Sequence, residues 1–329
     1  MPKIKGAIQG IWNKKAYKEL DKLLKQYGKN TIVHIHGWSH ALSASIFKAC
    51  SDNKISTCVT LHDYFAVCPS GFYNYKKQHI CHLIPMNCKC ICTNCDVRSY
   101  PQKIYRVIRQ IVQDKYVRNN KNINYIYISD FSFSKIQKYL KSRKSFYLHN
   151  PVDSYKIEKV DAINNENYLY LGRISPEKGV DIFCKAISEL VIKGIVIGDG
   201  PLKERLEKEY PQVEFTGWKS REDIIPYIRK ARCLVFPSKW YEGAPLTTEE
   251  CLNVGIPCIV SDECAAVDQI EDGVNGYTFK SEDVEDLKNK LIAMNNTSQL
   301  FDVKNWKTKN YSSENYINDL VEIYFGEQE

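Results

Sequence analysis

Residues 168–179 read YLYLGRISPEKG, and they decide the fold. The run YLYL suits a strand, the glycine after it lets other backbone come close, and the turn that follows ends where a helical pattern begins. The same strand-to-helix step recurs on both sides. Downstream it is carried by GIVIG (194–198), VEFTG (213–217), CLVFP (233–237) and PCIVS (257–261). Upstream it is carried by TIVHIH (31–36), TCVTL (57–61), YIYIS (125–129) and SFYL (145–148), with helical stretches near 41–51, 102–117 and 132–141. Strands alternating with helices predict parallel sheets covered by helices on both faces. We read two doubly wound, Rossmann-like α/β domains, residues 1–152 and 153–329. The boundary falls in HNPVD (149–153), ahead of the polar DAINNEN (161–167), and the C-terminal helix is expected to pack back on the first domain.

A chain of 329 residues is long for one core and comfortable for two. It has no apolar run long enough for a membrane span, and its start, MPKIKGAIQG, lacks the apolar stretch of a secretory signal. The expected location is the cytoplasm, with peripheral attachment to the inner face of the cell membrane. Thirteen cysteines in that setting read as thiols or metal ligands rather than disulfides. The net charge of +7 hides an asymmetry: residues 1–150 hold 25 Lys and Arg against 7 Asp and Glu, a balance of +18, and the remainder carries −11. Two halves of opposite sign meet different partners.

In doubly wound folds ligands lie beyond the carboxyl ends of the strands, so the residues just after each strand are the candidates. After YLYL come Gly172, Arg173 and Lys178; after GIVI comes GDGP (198–201), opening on Gly198; after VEFT comes GWKSREDI (217–224), opening on Gly217 and Trp218. After CLVFP comes SKWYEGAPLTTEECLNV (238–254), in which Glu242 precedes a Gly-Ala-Pro-Leu turn and Glu250 lies on the helix that follows, with Pro245 suited to its first position. The free N–H groups of such a helix start are a ready phosphate site. The two carboxylates must then hold something else.

With these motifs the chain resembles the retaining nucleotide-sugar glycosyltransferases of family 4, which have the GT-B architecture. The carriers are EGAPLTTEE with Glu242 and Glu250 at the family's Glu-to-Glu spacing, together with GRISPEKG, GDGP and FTGW in the expected order. The resemblance is close over about 165–280 and looser before it. It implies that Glu242 takes the donor sugar, Glu250 the ribose, and Gly243, Ala244, Pro245 and Leu246 the phosphates. Arg173 and Lys178 then offset the charge on the leaving nucleoside diphosphate, so catalysis needs no metal. In the first half, His62 of TLHDYFAVCP (60–69) matches a family histidine that faces the donor sugar, so His62 and Glu242 are the expected catalytic pair. His34, His36 and His40 in HIHGWSH have metal-like spacing, but His34 and His36 share one strand face, and we expect structural or acceptor-side roles for them.

Residues 68–100 form a cysteine-rich insert with Cys68, Cys81, Cys88, Cys90, Cys92 and Cys95. A loop of that length needs a staple, and four thiolates can bind zinc. Similar relatives point to Cys68, Cys81, Cys90 and Cys95 as the quartet of a structural zinc; unligated thiols packed in a lid are the other reading. One departure from the family stands at the start, where KIKGAIQGIWNKKAYKEL (3–20) replaces the usual strand and glycine-rich loop, so that the first domain is expected to lack its first βα units.

The expected function is transfer of a hexose from a nucleoside-diphosphate sugar to a glycan or lipid-linked saccharide acceptor in surface polysaccharide synthesis, at an anionic membrane surface that attracts the basic half. The alternative is a donor-binding subunit of a split enzyme, with a partner chain supplying the missing part. A zinc-containing nucleic-acid binder would explain the basic half but leaves the second half unread, so no nucleic-acid partner is expected.

Overall fold

The computed structural model describes residues 3–39, 41–142, 144–152, 155–296 and 312–326; His40 of the histidine motif and Asp153 of the boundary motif lie outside them. The chain divides into two units. The first comprises residues up to His149 together with those from Ile317 onward, and the second comprises Asn150–Tyr316. The division falls inside the HNPVD motif, three residues before the expected boundary.

In the first unit the described chain starts with two helices, Lys3–Ile11 and Lys14–Tyr27. The second of these is capped by Asn13, whose side chain accepts from the Ala16 N–H. Strands β1 (Ile32–His36) and β2 (Ser56–Leu61) follow, then a two-strand hairpin of β3 (Tyr73–Asn74) and β4 (His79–Ile80), then β5 (Ile123–Tyr127) and β6 (Ser145–Tyr147). The main sheet is parallel with order β1-β2-β5-β6, and the hairpin lies in the cysteine-rich insert. The insert read as one irregular loop; the hairpin and a one-turn helix at Cys88–Cys92 are too short to leave a periodic trace in sequence.

The second unit is a six-stranded parallel sheet: β7 (Asn167–Leu171), β8 (Gly194–Ile197), β9 (Glu214–Gly217), β10 (Ala231–Phe236), β11 (Cys258–Ser261) and β12 (Gly276–Phe279), in the order β12-β11-β10-β7-β8-β9. The strand order reverses between β7 and β10, which is the switch point where such sheets bind ligands. Alternation along YLYL builds the two sides of the core. Tyr168 and Tyr170 pack with Val196, Val235 and Phe183 on one face, while Leu169 and Leu171 pack with Ile197, Leu234 and Leu252 on the other. Strand β12 escaped the sequence reading because GYTF is short, half polar and opens on a glycine. That glycine is required by packing: a Cβ on Gly276 would lie 1.9 Å from the Cys258 carbonyl oxygen.

In the helix Tyr100–Tyr116 the isoleucines at helical spacing do not form the buried face: Ile108 and Ile111 are 46% and 59% exposed, and the buried residues are Lys103, Val107, Gln110 and Gln113. The basic residues turn inward as well. Arg106 pairs with the buried Asp96 at 2.8 Å, Arg109 donates to the Ser39 carbonyl, and Arg118 to the Tyr139 carbonyl. Among the described residues no helix is long and apolar enough to cross a membrane.

Candidate active site

The second unit's strands deliver their following residues to one edge of the sheet, where Gly172, Arg173, Gly198, Trp218 and Glu250 line a cavity of about 790 Å³ with Tyr155, Arg221 and Thr247. The loops after β7 and β8 touch through glycine. Gly198 sits at φ 148°, and a Cβ there would lie 1.9 Å from the Gly172 carbonyl oxygen, so no larger residue lets the two loops meet. Gly179 serves the same end on the other side: at φ 68°, its Cβ position is 1.8 Å from the Pro237 carbonyl oxygen, which brings the turn after β7 against the loop after β10.

That second approach creates the first of two ion pairs. Lys178 Nζ lies 2.5 Å from Glu242 Oε1, and the Ser238 hydroxyl donates to the same oxygen at 3.2 Å. The second pair is Arg221 Nη1 with Glu250 Oε1 at 2.6 Å, the guanidinium also lying over the Tyr155 ring, 4.8 Å from its centroid. Arg173 is exposed, lines the cavity and makes no ion pair with any described residue, so its charge is open to a ligand anion. Residues Gly243, Ala244, Pro245 and Leu246 run from Glu242 into the helix Leu246–Asn253. Pro245 is its cap in extended conformation rather than its first helical residue. The loop is braced from behind, where Gln269 Nε2 donates to the Pro245 carbonyl at 3.3 Å and to Glu249 at 3.0 Å, and Thr248 donates to the Pro245 carbonyl at 2.9 Å.

Of the residues singled out in sequence, the structure brings Gly172, Arg173, Gly198, Trp218 and Glu250 together around one cavity. Gly217 ends β9 immediately before Trp218, which is 74% exposed. Lys178, Glu242 and the Gly243–Leu246 turn are not in the cavity lining. Sequence reasoning missed Arg221, which stands inside the quoted GWKSREDI, and Tyr155. Nothing in the spacing announced that each carboxylate has its own cation. It also missed Gln269, whose role depends on contacts twenty or more residues away.

The first unit holds a cluster of three imidazoles at the carboxyl ends of β1 and β2. His34 and His36 share a strand face with ring centroids 4.1 Å apart. His34 is bonded at Nε2 to the Thr60 hydroxyl at 2.7 Å and at Nδ1 to the Tyr324 hydroxyl at 2.5 Å. His36 Nδ1 meets His62 Nε2 at 2.9 Å. Burial and the neighbouring His36 and His62 rings push His34 down to about 4, and His36 and His62 are held below their ordinary value by the surrounding protein, His62 also by His36.

Of the cysteine quartet, Cys81 is half-buried and the other three lie deeper. Cys68, Cys90 and Cys95 are buried, but the cation among them is Lys103, whose Nζ lies 3.1 Å from Cys95 Sγ and 3.7 Å from Cys90 Sγ. Burial works against that ammonium, yet the thiols of Cys95 and Cys90 outweigh it and hold Lys103 above its ordinary value. Among the described residues no group of three or more His, Cys, Asp or Glu side chains is arranged to hold a metal ion. As folded, the thiols of Cys90 and Cys95 face the Lys103 ammonium.

Comparison with known proteins bears on this geometry. Residues 155–310, most of the second unit, match the family described as glycosyl transferases group 1. An uncharacterized glycosyltransferase of Methanocaldococcus jannaschii is 28% identical over 194 residues, covering 56% of this chain and 53% of its own. The UDP-Gal:alpha-D-GlcNAc-diphosphoundecaprenol alpha-1,3-galactosyltransferase of Escherichia coli is 24% identical over 50% of this chain and 43% of its own. The chain therefore spans about half the length of these relatives. Among solved structures, Anabaena HepE in complex with UDP superposes with a TM-score of 0.66 at 14% identity, over 94% of this chain and 82% of that one. The likeness is one of fold: α/β with parallel sheets.

Proposed function

We propose that the chain is a retaining glycosyltransferase that moves a hexose from a nucleoside-diphosphate sugar to a glycan or lipid-linked saccharide acceptor in surface polysaccharide synthesis. The observation that carries the reading is the cavity at the switch point of the second unit, which combines Arg173, without an ion-pair partner among the described residues, two glycine-tightened loops and a carboxylate, Glu250, held in place by Arg221. Arg173 meets the diphosphate, Glu250 accepts from the ribose hydroxyls, and the exposed Trp218 lies beside the base. As the bond from the anomeric carbon to the diphosphate breaks, the electron pair leaves with the nucleoside diphosphate, and Arg173, Lys178 and the free N–H groups at the start of the helix Leu246–Asn253 offset that charge without a metal. Glu242, on the loop before that helix, takes a sugar hydroxyl, and His62 is the catalytic residue proposed in the first unit. The group 1 family match over the second unit and relatives named as glycosyltransferases support the reading.

The acceptor side is proposed to work at a membrane surface. Ile108 and Ile111 are exposed on the helix Tyr100–Tyr116, and Ile8 is exposed on the first helix, whose Ala7 carbonyl accepts from the Tyr105 hydroxyl. Lysines 14, 15, 18 and 22 of the second helix are exposed. A survey of UDP and GDP sugars with lipid-linked saccharide acceptors tests the proposal, with sugar transfer and retained anomeric configuration as the expected result. Donor binding without transfer to any acceptor would move the reading to the donor-binding subunit of a split enzyme, and neither binding nor transfer would end it.

A further inference from the structure

Resting on the role proposed for His62, we infer that His36 is its positioning residue: the bond from His36 Nδ1 to His62 Nε2 fixes the ring orientation and the tautomer of His62, and leaves Nδ1 of His62 as the atom that meets a sugar hydroxyl. The chemistry of a neutral imidazole makes this specific. Each neutral ring carries one N–H and one lone pair, so a nitrogen-to-nitrogen bond of 2.9 Å holds one proton between the two rings. If His36 Nδ1 carries it, His62 must be protonated at Nδ1 and presents a donor. If His62 Nε2 carries it, His62 Nδ1 is an acceptor. The two tautomers are therefore locked together, and one partner cannot change without the other.

The lock is itself anchored. His36 stands two residues from His34 on β1, with the rings in contact, and His34 is fixed at both nitrogens by Thr60 of β2 and by Tyr324 of the C-terminal helix Ser313–Phe325. Register places His36 beside Thr60, so His62, two residues further on, is within reach of the His36 ring. The ring planes of His36 and His62 are 30° apart at a centroid distance of 5.2 Å, offset enough for the edge nitrogens to meet. A lone exposed imidazole at a strand end would sample several rotamers and both tautomers. An imidazole held this way offers one nitrogen in one protonation state, as oriented catalytic histidines require.

The test uses the whole chain labelled with ¹⁵N-histidine, the His62 resonances being assigned by their loss in His62→Gln. In wild type the two His62 nitrogens are expected at the well-separated shifts of a single neutral tautomer. In His36→Phe they should move toward the averaged shifts of an exchanging mixture, and in His36→Asn, whose side-chain amide reaches the position of Nδ1, they should return. Turnover of donor, by transfer or by slow hydrolysis, should fall on the order of tenfold to a hundredfold in His36→Phe and recover in His36→Asn, with nucleotide affinity unchanged in both. Unchanged His62 shifts in a folded His36→Phe would overturn the inference, as would a loss of turnover that Asn does not rescue. A wild type with a single His62 tautomer but no turnover would leave the positioning role standing and count against the proposed function instead.

Discussion

The two units handle charge in opposite ways. In the second, Glu242 and Glu250 each touch a cation, at 2.5 and 2.6 Å, and Arg173 lines the cavity with no ion pair to any described residue. In the first, the candidate groups are imidazoles held by neutral partners: His34 by two hydroxyls and His36 by His62. A dianionic diphosphate needs fixed cations, and carboxylates beside it need cations of their own to stay ionised in place. A sugar hydroxyl needs a neutral donor or acceptor, and a charged imidazole could only donate. On the proposed reading, the second unit binds an anion and the first presents an uncharged nitrogen.

The largest effect that could break the comparison is on turnover. Glu242→Gln keeps the shape but removes the negative charge facing Lys178, and it is expected to lower turnover on the order of a hundredfold while nucleotide affinity, measured separately, moves little. Equal turnover would take Glu242 out of the chemistry and reduce its pair with Lys178 to a brace between two loops.

A smaller effect, on stability, sharpens the other side. Because the fold holds His34 down at about 4 from an ordinary 6.5, the neutral ring's contribution is whole above pH 6.5. Below that value the unfolded chain takes up the proton first, so stability falls as pH drops toward 4. Thermal melts across that window should show the loss in wild type and a shallower loss in His34→Gln. Equal slopes would mean that the imidazole cluster is not what titrates.

The smallest effect concerns the surface. Since Lys103, Arg106, Arg109 and Arg118 are turned into the protein, apolar contact through Ile108 and Ile111 should matter as much as charge. Sedimentation with anionic vesicles is expected at low salt, with half-molar salt releasing only part of the protein, and Ile108→Asn/Ile111→Asn releasing more. Complete release by salt alone would assign the attraction to the exposed lysines.

The alternation of strand and helix is legible because most strands of the parallel sheets are dense apolar runs, and the switch-point residues follow from it: Arg173 and Trp218 stand at strand ends, Glu250 on the helix after β10, and the three line one cavity. The helix Tyr100–Tyr116 shows where such reading stops. Its isoleucines mark one face at helical spacing, but the opposite face is buried because Gln113 accepts from the Trp38 indole at 2.9 Å and donates to the Phe65 carbonyl at 2.6 Å, and Gln110 donates to the Ala66 carbonyl. A polar residue that finds its partners on a distant loop is buried without any apolar signature. The same holds for Lys103, whose partners are thiols, and for Arg221, whose partner Glu250 is 29 residues away.

Calorimetry of UDP and GDP binding to the whole chain tests the central claim, that the second unit is a nucleoside-diphosphate site, most directly. Wild type should bind at least one of them, and Arg173→Ala and Glu250→Ala should each weaken that binding by about 1–3 kcal/mol, with Arg221→Ala weakening it less because its loss leaves Glu250 in place but unheld. No binding by either nucleotide, or one affinity shared by wild type and all three variants, would contradict it.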